Sequence, residues 1–504
     1  MRLREIARLC GASEMLTEEV AETEPTALVI DSRAVRPGDL FVAIPGEKVD
    51  GHLFVLDALR SGAAAAIVVH HRLPFATALG DWVDRLIFVD NTVCAMQQLA
   101  ATVLAQWAQA DQSSDMGPEI GPDKCRSERA VIGITGSAGK TTMKDLTAHL
   151  LEAKGRVLSS PGNLNTGYGL ALTVARMICR GSRPDDYDLA VIEMGMSSYG
   201  EISRLTRLAR PTVGVVGNVG TAHIEFFGTR ERIARAKAEM VDGLARGGTA
   251  VLNADDPRVL AMAKRRSDIR VLTFGMRQPA DVTASALRSE GDLRGTRFLL
   301  RTPTGEAEVM LPLLGEHNVA NALAAATAAH AVGLAVEEIA ARLASTVPSR
   351  MRGEVHRLAN GMTLIDDSYN SNPGALVEAV RAIAASRQPG QRLVVVAGEM
   401  LELGAQGAAL HRECGAEIAA LGVDLLIGVR GLARELVVGA VESGGIDRAR
   451  TRFFETTEAA ASSILDLVAE LAGPRDLLLV KGSRGVRMEQ IVARLRSISG
   501  APRE

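Results

Sequence analysis

The feature that most constrains this chain is a glycine loop set between an apolar run and a helix-forming run. Ala130 to Ile134 reads as a strand, and Lys140 to about Ala153 as a helix. Between them stand Gly136, Ser137, Ala138 and Gly139, and Lys140, Thr141 and Thr142 follow. Glycines at such a junction let backbone N–H groups approach phosphate oxygens, and the helix N-terminus adds partial positive charge. In a loop of this kind Lys140 reaches the β- and γ-phosphates, and the Thr141 hydroxyl can ligate Mg²⁺. The full motif would put glycine at 134. This chain has Ile134 there, so Gly136 opens a shortened version of the loop.

Such a loop needs a sheet around it. Leu189 to Glu193, Thr212 to Val216 and Ala250 to Asn253 are apolar runs separated by helix-length segments, which predicts a mostly parallel sheet. Alternating apolar positions from Ala280 to Leu311 suggest an antiparallel addition, and a helix is expected from about Asn318 to Val332. A chain of 504 residues at ~150 per domain predicts roughly three domains. The flanking segments agree. The first hundred residues read as a small mixed α/β unit, with strands at Leu28 to Ile30, Leu40 to Ile44 and Ala64 to Val69 and a helix over Ala95 to Ala108. From near Pro348 a doubly wound α/β pattern begins, with strands at Thr363 to Ile365, Leu393 to Val396, Leu425 to Val429 and Leu477 to Val480. The division expected is residues 1–110, a polar Gly- and Pro-rich linker over 111–128, a central unit at 129–347 and a third at 348–504.

Composition narrows the function classes. Lys plus Arg is 57 and Asp plus Glu is 60, for a net charge of -3, so the basic excess of a nucleic-acid binder is missing. Aromatic residues make up 3%, too few to suggest base-stacking platforms. Cys10, Cys94, Cys125, Cys179 and Cys414 form no C-x-x-C pair and are odd in number, which predicts reduced thiols rather than a disulfide scaffold or a zinc site. No apolar run approaches the ~18 residues of a membrane span, and the N-terminus lacks the apolar core of a signal peptide. A cytoplasmic protein is expected, with no nucleic-acid partner and no membrane insertion. With no heptad repeat or large apolar helix face in view, a monomer is expected as well.

A phosphate loop calls for a metal and groups to hold it. Glu193 ends a strand at the edge where open α/β sheets bind ligands, and Met194-Gly195-Met196 follows it. His223 follows the next strand in the run Asn218 to His223. Lys237 falls in a helix expected over Arg232 to Met240, where spacing alone reads it as part of a solvated face.

These residues together resemble the Mur ligases and the related folylpolyglutamate synthases. The likeness runs through Thr135 to Thr142, Gly162-Asn163-Leu164-Asn165-Thr166, Glu193-Met194-Gly195, Asn218 to His223, Ala236-Lys237, Gly315-Glu316-His317-Asn318 with Asn321, and Asp367-Ser368-Tyr369-Asn370-Ser371-Asn372-Pro373. It implies a three-domain Mur ligase architecture: an N-terminal domain that holds a UDP-linked substrate, a central P-loop ATPase domain on a parallel sheet, and a Rossmann-like C-terminal domain. Within the family, Asp31-Ser32-Arg33, Pro45-Gly46, Asp50-Gly51-His52 and the Asp367 to Pro373 run resemble the branch that adds D-alanyl-D-alanine to UDP-N-acetylmuramoyl-tripeptide in peptidoglycan synthesis. The alternative inside the family is a ligase adding diaminopimelate or lysine to UDP-N-acetylmuramoyl-dipeptide, or a folylpolyglutamate synthase, against which residues 1–110 count. Outside it, a nucleotide switch would need only the loop.

The resemblance implies an ATP-dependent amide ligase that works through an acyl phosphate, with ATP and Mg²⁺ as cofactors. Carried over residue by residue, Gly136, Ser137, Ala138, Gly139, Lys140, Thr141 and Thr142 bind the ATP phosphates. Asn318 and Asn321 lie near the adenine, and Arg352 contacts the nucleotide at the domain joint. Thr141 and Glu193 hold one Mg²⁺. His223 and Lys237 help hold a second, the lysine matching one that is carbamoylated in sibling ligases. Lys140, Glu193, His223 and Lys237 form the expected catalytic set. Ser32, Arg33, Asn163, Asn165, Thr166, Asp367, Tyr369, Asn370 and Asn372 are expected on the substrates. Lys481-Gly482-Ser483-Arg484 reads either as ligand-facing or as a helix start.

Overall fold

The computed structural model describes residues 1–14, 16–46, 49–73, 79–110, 129–471, 473 and 475–497. The linker read over 111–128 lies outside the described residues. Three sheets succeed one another along the chain. The first comprises β1 (Ser13–Glu14), β2 (Leu28–Val29), β3 (Leu40–Val42), β4 (Ala65–Val68) and β5 (Leu86–Phe88), ordered β1-β5-β4-β3-β2 and parallel except for β1. The helix Thr92–Ala110 then docks this unit on the next. Its Trp107 is 1% exposed and donates its indole N–H to the Tyr187 carbonyl at 2.8 Å.

The second sheet has nine strands: β6 (Ala130–Thr135), β7 (Val157–Ser159), β8 (Leu189–Glu193), β9 (Val213–Val216), β10 (Thr249–Asn253), β11 (Arg270–Gly275), β12 (Val282–Glu290), β13 (Gly295–Thr302) and β14 (Gly305–Leu311). Their order is β14-β13-β12-β11-β10-β9-β6-β8-β7. β7 to β12 run parallel through β8, β6, β9, β10 and β11, whereas β12, β13 and β14 form the antiparallel addition expected from the alternation. β6 and β8 are buried along their whole length, which is why they read as unbroken apolar runs rather than alternating ones. The order reverses at β6, which lies between β8 and β9, so the loops after these three strands open a crevice at one end of the sheet.

The third sheet holds β15 (Glu354–Arg357), β16 (Thr363–Asp367), β17 (Leu393–Gly398), β18 (Leu425–Val429), β19 (Thr451–Phe454) and β20 (Leu477–Lys481), ordered β15-β16-β20-β17-β18-β19 and parallel apart from β15. The last strand slots between β16 and β17. The loops after β16, β17 and β20 therefore leave side by side and face the crevice of the central sheet. Between the two sheet ends lies a cleft of about 600 Å³.

Element existence follows the expectations closely where a strand is fully buried. The misses are the short or edge strands β1, β5, β7, β15 and β19, together with β11. β15, for example, alternates half-buried and exposed residues and carries Glu354, His356 and Arg357, and its pairing with β16 rather than any apolar run makes it a strand. The single helix expected over Arg232 to Met240 is two, Arg230–Lys237 and Glu239–Asp242, broken at Ala238. Cys10, Cys94, Cys179 and Cys414 are free. Among the described residues no helix is long and apolar enough to cross a membrane.

Candidate active site

The glycine loop leaves β6 and enters the helix Lys140–Leu151 through Gly139, which has a left-handed φ of 77°. A side chain there would also run into the amide of Asn321, so the position is closed to any other residue on two counts. Asn218, at the end of β9, pins the loop. Its Oδ1 accepts the N–H groups of Ser137 and Ala138 at 3.0 and 2.9 Å, and its Nδ2 donates to the Ala138 carbonyl at 3.0 Å. Not every amide of the loop is therefore free for phosphate. Two are committed to Asn218, and the unpaired N–H groups of the helix's first turn remain for an anion. Lys140 Nζ rests on the Gly136 carbonyl at 3.0 Å. Burial pulls its pKa down, while the Glu193 charge works against that shift.

Glu193 is 1% exposed at the tip of β8 and is gripped from both sides. The Thr141 hydroxyl donates to its Oε2 at 2.8 Å, and Asn165 Nδ2 donates to its Oε1 at 2.9 Å. Asn163 also lines the cleft. Thr166 does not line it: its hydroxyl accepts the Gly169 N–H at 3.3 Å and caps the helix Gly167–Ala175. Asn318 and Asn321 lie on the first turns of the helix Glu316–Ala331 and line the cleft, Asn321 donating to Asn318 Oδ1 at 3.2 Å. Beside them His317 has a buried Nδ1 with no hydrogen-bond partner, and burial lowers its pKa.

The opposite wall comes from the third sheet. Asp367, ending β16, accepts Lys481 Nζ of β20 at 2.5 Å, and that ammonium also donates to the Asn370 carbonyl at 3.1 Å. Lys481 lines the cleft, and a short helical turn does start at Arg484. Asn372 lines the cleft and caps the helix Pro373–Ser386, accepting the Ala375 N–H at 3.0 Å. Tyr369 carries the Arg352 guanidinium 4.1 Å from its ring centroid, with Arg484 at 5.8 Å. Arg352 in turn donates to Thr141 Oγ1 at 3.0 Å, joining the two walls. Met351, directly before Arg352, takes a left-handed φ of 62°.

One expectation changes. Lys237 is not on a solvated face. It is 1% exposed, and both burial and the nearby Lys140 charge drive its pKa well below the ordinary lysine value. Nor does it line the cleft. His223 turns to the third domain, its Nδ1 2.6 Å from Glu402 Oε2. Among the described residues the one group of three or more His and carboxylate side chains within metal-ligand reach is elsewhere, Glu354, His356 and Asp366 on β15 and β16. Ser32 and Arg33 lie outside the cleft, at the end of β2. Asp31 caps their turn, and the Arg33 guanidinium beside it holds its carboxyl down at about 2. Sequence reasoning gave no role to Asn218, although it belongs to a run already singled out. Glu402 carries no local signal, because only the meeting of two domains gives it a partner.

A shortened phosphate loop facing a second doubly wound sheet across a cleft is an arrangement shared with known proteins, and three family models match in order. The Mur ligase family catalytic domain matches residues 24–103, the Mur ligase middle domain 134–329, and the Mur ligase glutamate ligase domain 351–484. The chain belongs to the Mur ligase family. It is 35% identical over 494 residues to the UDP-N-acetylmuramoyl-tripeptide--D-alanyl-D-alanine ligase of Escherichia coli, covering 97% of this chain and 98% of that one. To the ligase of the same name from Bacillus subtilis it is 33% identical, covering 92% and 91%. Among solved structures, MurF from Acinetobacter baumannii superposes with a TM-score of 0.81 at 28% identity over 98% of both chains. MurF from Thermotoga maritima in complex with ADP gives 0.73 at 28% identity, covering 96% of this chain and 99% of that one.

Proposed function

We propose that this protein is an ATP-dependent amide ligase that joins D-alanyl-D-alanine to UDP-N-acetylmuramoyl-tripeptide in peptidoglycan precursor synthesis. The observation that carries the reading is the cleft itself. It sets Lys140, Thr141 and Glu193 on one wall against Asp367, Tyr369 and Lys481 on the other. The near full-length relatives that share one enzyme name supply the substrates.

ATP lies with its phosphates on residues 136–142 and its base by Asn318, Asn321 and His317. Thr141 and Glu193 present a hydroxyl and a carboxylate 2.8 Å apart, hard oxygen donors that suit Mg²⁺. When bound, that ion neutralises phosphate charge so that two anionic reactants can meet. His223 and a carbamoylated Lys237 are the proposed holders of a second. A lysine this buried, with no carboxylate pairing with it among the described residues, is disposed to be a neutral amine, the form that takes up CO₂.

The tripeptide carboxylate attacks the γ-phosphorus and ADP leaves. Lys140 and Arg352 steady the charge that develops on the phosphoryl oxygens. The dipeptide's amine nitrogen then attacks the acyl carbon, and the proton it loses leaves with the departing phosphate. The tetrahedral adduct collapses, expelling phosphate and leaving the new amide. The acyl phosphate hydrolyses if wet, so closure of the third domain over the cleft, with Arg352 and Tyr369 at the joint, excludes water. In this division of labour residues 1–110 hold the UDP end through Ser32 and Arg33, 129–347 bind ATP, and 348–504 bring the acceptor, with Asn163, Asn165, Asn370 and Asn372 on the substrates. A cytoplasmic monomer is part of the same reading.

Phosphate release from ATP tests it. UDP-N-acetylmuramoyl-tripeptide is offered with D-alanyl-D-alanine, and UDP-N-acetylmuramoyl-dipeptide with diaminopimelate or lysine. Release in the first pair alone is expected; release in the second alone moves the enzyme one step back along the same chemistry.

A further inference from the structure

Behind the cleft a second buried lysine touches the machinery without lining it. Lys144 lies on the helix Lys140–Leu151, one turn past Lys140, and is 3% exposed. Residues four apart share a helix face, yet the two ammonium groups diverge. Lys140 Nζ turns to Gly136, whereas Lys144 Nζ donates to the Ser160 carbonyl at 2.6 Å, with the Gly162 carbonyl at 3.5 Å. Ser160 is itself tied to Glu193: its hydroxyl oxygen accepts the Glu193 N–H at 3.3 Å, and its own N–H donates to Val191 at 3.2 Å. Asn165, at the far end of the same loop, donates to Glu193 Oε1. Both ends of the 160–165 loop thus grip Glu193, and Lys144 holds the near end.

A buried ammonium is costly unless paired. The counter-charge here is the next residue, Asp145, whose Oδ1 lies 2.7 Å from Lys144 Nζ. The other oxygen of Asp145 accepts the Ser349 hydroxyl at 2.5 Å. Ser349 precedes by three residues Arg352, which donates to Thr141. A continuous set of contacts therefore runs from the joint between the central and third domains to the backbone of Glu193 at the tip of β8.

We propose that Lys144 is a positioning residue for Glu193. It fixes the 160–165 loop against that carboxylate, and its pairing with Asp145 ties the loop to the domain joint at Ser349. The proposal rests on the reading of Glu193 as a metal-site carboxylate and is independent of which acceptor the enzyme uses.

The test is ATP affinity of the full-length protein, measured by titration calorimetry across a Mg²⁺ series. Lys144→Met is expected to leave metal-free ATP affinity within about twofold and to raise the Mg²⁺ needed for half-maximal tightening about tenfold, the worth of one hydrogen bond to a charged group. Lys144→Arg keeps the buried charge but cannot set a donor on Ser160 without moving the loop, and a shift of about threefold is expected. Ser349→Ala is expected to shift it about twofold. A lysine of purely structural value would lower the melting temperature and leave the Mg²⁺ series unmoved. An unchanged series in both Lys144 variants overturns the proposal, and Lys144→Arg decides it alone should Lys144→Met not fold. An unchanged series in Ser349→Ala overturns the link to the joint. A wild-type ATP affinity that ignores Mg²⁺ overturns the reading of Glu193, and this proposal with it.

Discussion

His223 and Glu402 meet across the gap between the central and third sheets, Nδ1 to Oε2 at 2.6 Å, and both stand on left-handed backbone with φ 63°. Two non-glycine residues in that region cost backbone energy, and such outliers gather where a site holds its geometry against strain. Around the contact, Gln406 Nε2 donates to the Gly228 carbonyl at 3.3 Å, so the loop after β17 rests on the segment that follows β9. The pairing with His223 holds the Glu402 carboxyl below its usual range.

Glu402 is half exposed, so the contact is screened and modest in strength. Glu402→Ala is expected to lower kcat/KM about two- to fivefold in dilute buffer and hardly at all in high salt. A salt series of initial rates checks this. A loss that persists in concentrated salt would show that Glu402 acts on substrate rather than through the domain contact.

Lys140 is the cation of the phosphate loop. Removing it in Lys140→Ala is expected to cut turnover about 10²- to 10³-fold, the scale of losing one preorganised electrostatic group. Near-normal turnover in a steady-state assay would sink the loop assignment.

Gly139 and Asn321 are neighbours at the starts of two packed helices of the central domain. Gly139→Ala combines a left-handed φ with a clash on the Asn321 amide and is expected to destabilise the fold by about 1–3 kcal/mol. Asn321→Ala in the same chain relieves the clash, so the double mutant should be more stable than the sum of the single changes predicts. Urea denaturation of the three variants measures that coupling, and strict additivity would mean that the two side chains never compete for the space.

Lys237 has a folded pKa well below its unfolded value, so the unfolded chain binds more protons. Stability then rises with pH toward the ordinary lysine value, and the cost of burying Lys237 is greatest at low pH. In bicarbonate-free buffer Lys237→Met is expected to raise the melting temperature near neutral pH, with the gain fading in alkali. If the wild-type lysine is carbamoylated, added bicarbonate removes that advantage, and short carboxylic acids partly restore activity to Lys237→Ala. A melting temperature insensitive to both bicarbonate and the substitution would contradict the burial argument.

His411 is fully buried and fixed as a neutral ring, Nδ1 donating to Gly407 at 2.7 Å and Nε2 accepting the Met400 N–H at 3.0 Å. Burial lowers its pKa, so stability is lost as pH falls from the unfolded value toward the folded one, where the imidazole must charge and give up the Met400 bond. His411→Gln should flatten that part of the stability profile. Because Met400 stands two residues before Glu402, activity of the wild type should fall over the same acid window. Equal acid sensitivity in the variant would move the cause to another group.

What was legible in the residues has a common physical origin. β6, β8 and β18 are buried on both faces, so their sequences are unbroken apolar runs that announce a parallel sheet and its boundaries almost to the residue. The glycine loop is local chemistry, readable because Gly139, Lys140 and Thr141 act within a few bonds of one another. The order of motifs along the chain was enough to place it in a family. β15 escaped notice because an edge strand needs only one partner and no apolar run.

The tertiary structure alone decided which side chains became neighbours. Lys237 looked solvated because its helix is rich in charge, yet packing put it at 1% exposure beside another cation. Thr166 belonged to a promising motif and became a helix cap. Asn218, Lys144 and Glu402 acquired their partners from segments 80, 16 and 179 residues away, the last being His223. Periodicity and motif spacing report what a residue faces within its own element. Burial, counter-charges and the closing of one domain on another are set by chain crossings that no local pattern encodes.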